Sequence, residues 1–137
     1  MLFIFDENFP SEFVRGFGII EKANRRSAIP VEIVFSPEIM GKQGSSDEEI
    51  IAKAAKQNAV IVTQDTDFKR IKHYKSLLVQ HNVGYVYFKV PGARNHYWDI
   101  VKAFVVKWEE LKEAISRSTH PFAFEINKHG GINKLPF

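Results

Sequence analysis

Short apolar runs that stop abruptly at acidic residues alternate, along this chain, with stretches whose apolar residues recur every three to four positions. Residues 2–5 (Leu-Phe-Ile-Phe) read as a buried strand, and Asp6-Glu7-Asn8 follows at once. Pro10-Ser11-Glu12 then opens a helix whose apolar side is Phe13, Val14, Phe17, Ile20 and Ala23, weakened by Gly16 and Gly18 and running out near residues 24–26. Residues 31–35 form a second strand, and a polar, Gly-containing loop extends from Ser36-Pro37 to Ser45. Ser46 is an N-cap with Glu49 completing a capping box, Asp47 and Glu48 share the first turn, and Ile50, Ile51, Ala54 and Ala55 make the apolar stripe. Asn58 is the expected stop. Residues 59–63 form a β-branched strand, after which Gln64, Asp65, Thr66 and Asp67 restore polarity.

A turn and a helix follow over 68–80, and 83–90 is a further strand broken by Pro91-Gly92. The clearest amphipathic helix spans 94–116, with Trp98, Val101, Phe104, Val105, Trp108, Leu111 and Ile115 along one side; this aromatic stripe is core rather than a nucleobase platform. Beyond His120-Pro121, Phe122, Phe124 and Ile126 alternate with Ala123, Glu125 and Asn127, and Gly130-Gly131 turns the chain toward residues 132–135 as a hairpin. The hairpin can pair with a sheet edge, a second copy of the chain or a partner protein. Strands alternating with helices predict an α/β fold, a three-layer α/β/α sandwich on a mainly parallel central sheet, plus a C-terminal β-hairpin.

Composition narrows this further. A length of 137 residues with 45% hydrophobic and 26% charged positions suits one domain over 1–137, with a core at about 1–116 and the hairpin extension at about 120–137. The absence of cysteine excludes disulfides and thiolate metal sites. The five histidines have no ligand spacing, so each is an ordinary surface or core residue. With no basic leader region before the first strand and no apolar run near the about 18 residues of a membrane span, the expectation is a cytoplasmic protein with no membrane partner. A net charge of +3 permits a polyanionic partner without demanding one.

The candidate chemistry lies where strands end. In an open parallel sheet the functional crevice forms beyond the strands' carboxyl ends, and Asp6 and Asp65 both stand there; the helix that begins at Asp47 can present its first turn to the same place. Carboxylates at about 4 Å repel by roughly 4 kcal/mol at an effective dielectric near 20, so such a cluster calls for a cation. Oxygen-only ligands suit Mg²⁺ or Mn²⁺ rather than zinc. Thr63 is placed to hydrogen-bond a ligand carboxylate. The densest basic stretch, Lys69, Arg70, Lys72, His73 and Lys75, begins directly after Asp67, and Lys42 sits in the loop bordering the crevice. These are the candidate phosphate contacts, weighed against an ordinary solvated face.

Asp6-x-Asn8 after a first strand, Asp47 opening a helix with Ile50-Ile51-Ala52 and Ala54-Ala55, and Val62-Thr63-x-Asp65-x-Asp67-Phe68 together resemble the PIN-domain nucleases. The likeness covers roughly the first ninety residues and is strongest to the short PIN-like toxins of bacterial and archaeal toxin-antitoxin pairs. It implies a metal-dependent ribonuclease that hydrolyses RNA phosphodiester bonds using Mg²⁺ or Mn²⁺. Asp6, Asp47 and Asp65 would hold the metal, and Asp67 would be an outer ligand or orient water. It also implies a cognate antitoxin protein as partner.

Longer members carry a further acid on a helix in the interval where this chain, beyond the Pro10-Ser11-Glu12 turn, has only Glu21, Glu32 and Glu38, none in a matching position. Glu7 or Glu48 can stand in for it, and Asn8 and Thr63 are further accessory residues. Two rivals remain: a catalytically degenerate PIN-like module that binds RNA or protein, and a receiver-like phosphotransfer domain. The second is matched weakly, with Lys89 alone resembling its late lysine.

Overall fold

The computed structural model describes residues 1–24, 28–64, 68–89, 97–127 and 131–136, with residues 68–71 as backbone. Six strands, β1 (Leu2–Phe5), β2 (Glu32–Phe35), β3 (Val60–Thr63), β4 (Gly84–Phe88), β5 (Phe122–Ile126) and β6 (Ile132–Lys134), form one sheet in the order β2-β1-β3-β4-β5-β6. All neighbours are parallel except the β5–β6 hairpin, which is antiparallel. Five helices connect them: α1 (Ser11–Ala23), α2 (Ser36–Met40), α3 (Asp47–Lys56), α4 (Phe68–His81) and α5 (Tyr97–Ser116).

The sheet is buried on both faces, which is why its strands read as continuous apolar runs. Phe3, Phe5, Val60, Val62, Val86 and Phe88 face α1 and α5, packing on Phe13, Phe17, Phe104 and Trp108. The intervening Ile4, Ile61, Tyr85 and Tyr87 face α3 and α4, packing on Ile51, Ala54, Tyr74 and Leu78. This is the expected three-layer arrangement. The first layer is mostly aromatic: the Phe104 ring lies 5.2 to 5.5 Å from those of Phe5, Phe17, Phe88 and Trp108.

Of the three places open to the hairpin, it takes the sheet edge: β5 lies parallel to β4, with Gly84 opposite Phe122. A Cβ on Gly84 would run into the Phe122 ring, so a glycine is required where that ring crosses the neighbouring strand. The simple in–out alternation expected for β5 fails because both faces are covered; Ala123 is 1% exposed, beside Tyr85 and Val83 in the second layer.

Three further expectations need correction. The segment after β2 is not all loop: Ser36–Met40 is a short helix with Pro37 at its start, where a missing N–H costs nothing, and Gly41 closes it at φ 71°. On α1, Ile20 is 67% exposed while Glu21 is buried. On α5, Trp98 and Val105 lie outside while Lys112 is fully buried. The two buried charges are partners: Lys112 Nζ donates to Glu21 Oε1 at 2.9 Å and Trp108 Nε1 donates to Glu21 Oε2 at 2.8 Å, so a charged bridge between the two helices occupies core positions outside the apolar stripes read from the sequence.

Among the described residues, no helix is long and apolar enough to cross a membrane.

Candidate active site

β1 and β3 are adjacent and parallel, so Asp6 and Gln64, the residues that directly follow them, emerge at one end of the sheet. The ladder continues one residue past β1, the Asp6 N–H donating to the Val62 carbonyl at 2.9 Å. This holds the Asp6 carboxylate beside Thr63, whose Oγ1 donates to Asp6 Oδ2 at 2.7 Å. The Asn8 N–H donates to Asp6 Oδ1 at 2.6 Å, and the Phe9 N–H closes the turn on the Asp6 carbonyl. Asp6 is 9% exposed and Thr63 is fully buried. Both carboxylate oxygens thus accept a hydrogen bond, one from the turn that follows β1 and one from the end of β3.

Asp47 arrives from the other side of the sheet. Ser46 caps α3 as expected: its side chain accepts from the Glu49 N–H at 3.2 Å and Glu49 Oε2 accepts from the Ser46 N–H at 2.9 Å. The Ser46 N–H, and after it Lys42 at 3.1 Å, hold the Glu49 carboxyl below its usual range. With Glu49 committed to the cap, Asp47 is the first-turn acid with a buried partner: Tyr74 of α4 donates to Asp47 Oδ1 at 2.6 Å. Glu48 is exposed and lies 3.3 Å from His73. The expected stop at Asn58 is present, with φ 51° and the Ala59 N–H returning to the Ala54 carbonyl at 2.9 Å, which directs the chain into β3.

Other candidates are placed less centrally. Glu7 is exposed and accepts from the Gly44 N–H at 3.2 Å, tying the loop after α2 to the end of β1. Asn8 contributes through its backbone. Lys42 pairs with Glu49. Lys72 is exposed and Lys75 half-buried on α4; Asp65 and Asp67 lie outside the described residues, as do the side chains of Lys69 and Arg70. Gln64, directly after β3, has its Nε2 buried with no acceptor among the described residues. Glu21 is spent in the buried bridge to Lys112 and Glu38 in an ion pair with Arg15 at 2.6 Å. Neither therefore supplies the missing acid. Sequence reading missed Tyr74, although the spacing Ile71, Tyr74, Leu78 marks it as inward-facing on its helix.

The model of the family described as PIN like domain matches residues 1–90, which takes in β1 through β4. The chain belongs to the PIN-like domain family. No curated protein and no solved structure matches it. The PIN-like domain is a nuclease-type fold, and the acids described above lie within the matched residues. α5 and the β5–β6 hairpin lie beyond them.

PIN domains generally depend on a divalent metal, and the donors here suit one in kind. Asp6 and Asp47 offer hard carboxylate oxygens already oriented by the hydroxyl groups of Thr63 and Tyr74, which fix the direction in which each carboxylate faces. Among the described residues, no group of three potential ligands comes together.

Proposed function

We propose that this PIN-like chain is a Mg²⁺- or Mn²⁺-dependent endoribonuclease, acting as the toxin of a toxin-antitoxin pair, with Asp6, Asp47 and Asp65 as metal ligands and Asp67 outside them. The observation that carries the reading is the buried Asp6 carboxylate, held at a parallel strand end by Thr63 Oγ1 and the Asn8 N–H. Burying a carboxylate is costly unless its charge is used or compensated, and strand ends are where an open α/β sheet places its ligands.

A bound divalent cation would supply activated water and neutralise charge developing on the phosphate. The chain's own contribution is to orient. Thr63 and Asn8 fix the Asp6 rotamer, and Tyr74 fixes one oxygen of Asp47. Gln64 Nε2 is a donor directly before Asp65, suited to a phosphate oxygen or a ligand carboxylate. Lys72 and Lys75 on α4 attract the RNA backbone.

The test is cleavage of a structured and a single-stranded RNA with Mg²⁺ or Mn²⁺. Activity should disappear in EDTA and fall by orders of magnitude in Asp6→Asn and in Asp65→Asn. Undiminished cleavage in EDTA, or in both variants, refutes the metal-hydrolase reading. Divalent-ion binding without cleavage of any RNA would instead favour a binding module.

A further inference from the structure

The edge of the sheet formed by β2 has features that the nuclease reading does not use. The Glu32 N–H donates to the Met1 carbonyl at 2.9 Å and so points toward β1; by strand alternation the backbone groups of Ile33 turn outward, to the open edge. A groove of about 640 Å³ runs along one face of this edge, its lining including Arg15, Ile19, Lys22, Glu32, Ile33 and Glu38. A second, of about 350 Å³, lies on the other face, lined by Leu2, Glu32, Val34, Glu38, Ile39 and Gln57. An edge strand with a pocket on each face is what an added strand needs. Its backbone continues the ladder while alternate side chains enter the two pockets. Ile19, 71% exposed on the rim of the larger groove, is an apolar residue that such a segment would cover.

The groove also discriminates between occupants. α1 rides directly on β2, since a Cβ on Gly18 would lie 3.5 Å from the Ile33 carbonyl oxygen and 3.6 Å from its Cβ. A second copy joined edge to edge by a two-fold axis would run antiparallel, with its own α1 on the same face. Strands in a ladder are about 4.8 Å apart, whereas packed helices need roughly 8–10 Å between axes, so the two α1 helices would collide. A strand carrying no helix of its own meets no such obstacle. Its charge is indicated as well. Arg15 is paired with Glu38, while Lys22, exposed on the last turn of α1, and Glu32 on the same groove each have no ion pair among the described residues, so the groove offers one cationic and one anionic contact.

We infer that the β2 edge binds an extended peptide segment of a partner protein by strand addition, taking apolar side chains into the larger groove and polar ones into the smaller, with an acidic side chain beside Lys22. The inference does not depend on catalysis, and Asp6→Asn should leave it intact.

Short random peptides displayed on phage and selected on the full chain provide the probe, and the affinities of the recovered peptides are measured by fluorescence anisotropy. Ile19→Asp and Lys22→Glu, both on the exposed side of α1, should each weaken binding about tenfold, as expected for groups that contact the ligand directly. N-methylation at alternate residues of the peptide should abolish binding in one phase and leave it unchanged in the other, because only every second N–H joins the ladder. Three results would overturn the proposal: no peptide recovered, peptides indifferent to both substitutions and to the phase of methylation, or a concentration-dependent dimer that Ile19→Asp dissolves. The last would assign the edge to a second copy.

Discussion

Thr63 Oγ1 donates a 2.7 Å hydrogen bond to Asp6 Oδ2 across fifty-seven residues of sequence, joining the last residue of β3 to the first residue beyond β1. The contact exists because β1 and β3 are parallel neighbours in register, with Phe5 opposite Val62. It makes the rotamer of a candidate metal ligand depend on strand pairing rather than on a loop, and a site built on strands is held more tightly than one built on loops.

Replacing Thr63 with Val keeps the shape and removes the donor, leaving a buried carboxylate short of one hydrogen bond. The expected cost is about 1–3 kcal/mol of stability and, through a less well-held Asp6, roughly 10- to 100-fold in metal affinity or activity. Thr63→Ser retains the hydroxyl and should recover most of the metal affinity. Thermal melts with Mn²⁺ titration followed by calorimetry separate the two effects; equal affinities for the Val and Ser variants would mean that the hydroxyl does nothing beyond packing.

Tyr74 stands to Asp47 as Thr63 stands to Asp6, and it is 5% exposed. Tyr74→Phe retains the ring contact with Tyr85, whose centroid lies 5.4 Å away, so the lost hydroxyl is tested almost alone. The stability loss should be near the net worth of one hydrogen bond to a charged group, about 1.5–3 kcal/mol. Metal affinity should fall alongside it. A variant that melts earlier but binds Mn²⁺ unchanged would make Tyr74 a tie between α3 and α4 and no more.

The elements were legible in the sequence because each carried a local signal consistent with its place: the Ser46–Glu49 capping box, the left-handed Asn58, the β-branched run ending at Thr63. The meeting of Asp6 with the end of β3 could be anticipated from topology, since parallel strands of one sheet end on one side. Side-chain contacts made across the fold could not. Tyr74 carries no local sign of a polar role, and in the fold it is core with a polar tip. Hydrophobic spacing likewise placed Ile20 and Val105 inside. No local pattern tells that Glu21 and Lys112, ninety-one residues apart, each satisfy the other's charge and so tolerate burial.

That buried pair gives an independent prediction about the fold. Burial alone would lower the pKa of Lys112, but hydrogen bonds and charge from Glu109 and Glu21 outweigh it and hold the ammonium above its ordinary value of 10.5. A group whose folded pKa is raised stabilises the fold fully below its unfolded value and progressively less as pH climbs through the folded one, so the contribution of the bridge should fade only above about pH 10.5. Lys112→Met leaves Glu21 buried with Trp108 as its remaining donor, and should cost about 3–5 kcal/mol. The double change Glu21→Leu with Lys112→Met should recover much of that, because two apolar groups need no desolvation offset. Denaturant melts decide the matter: a double variant no more stable than the single would show that the bridge itself, and not the stranded charge, is what α1 and α5 rely on.

The final prediction concerns the basic face of α4. Lys72 is exposed and Lys75 half-buried on one helix whose Tyr74 and Leu78 are turned into the core, so the two lysines flank the residue that holds Asp47. Lys42, a further candidate cation, is already paired with Glu49 at 3.1 Å and has less to offer a phosphate. If Lys72 and Lys75 contact the RNA backbone, replacing both with Ala should weaken binding about equally for unrelated sequences. It should also make the salt dependence of log K shallower by about 1.4, at roughly 0.7 per single-strand phosphate contact. The measurement belongs in the Asp65→Asn background, so that cleavage does not consume the ligand. A slope that does not move, with affinity unchanged, would reduce these lysines to solvated surface charge and leave Lys69 and Arg70, nearer the end of β3 in sequence, as the cations to replace next.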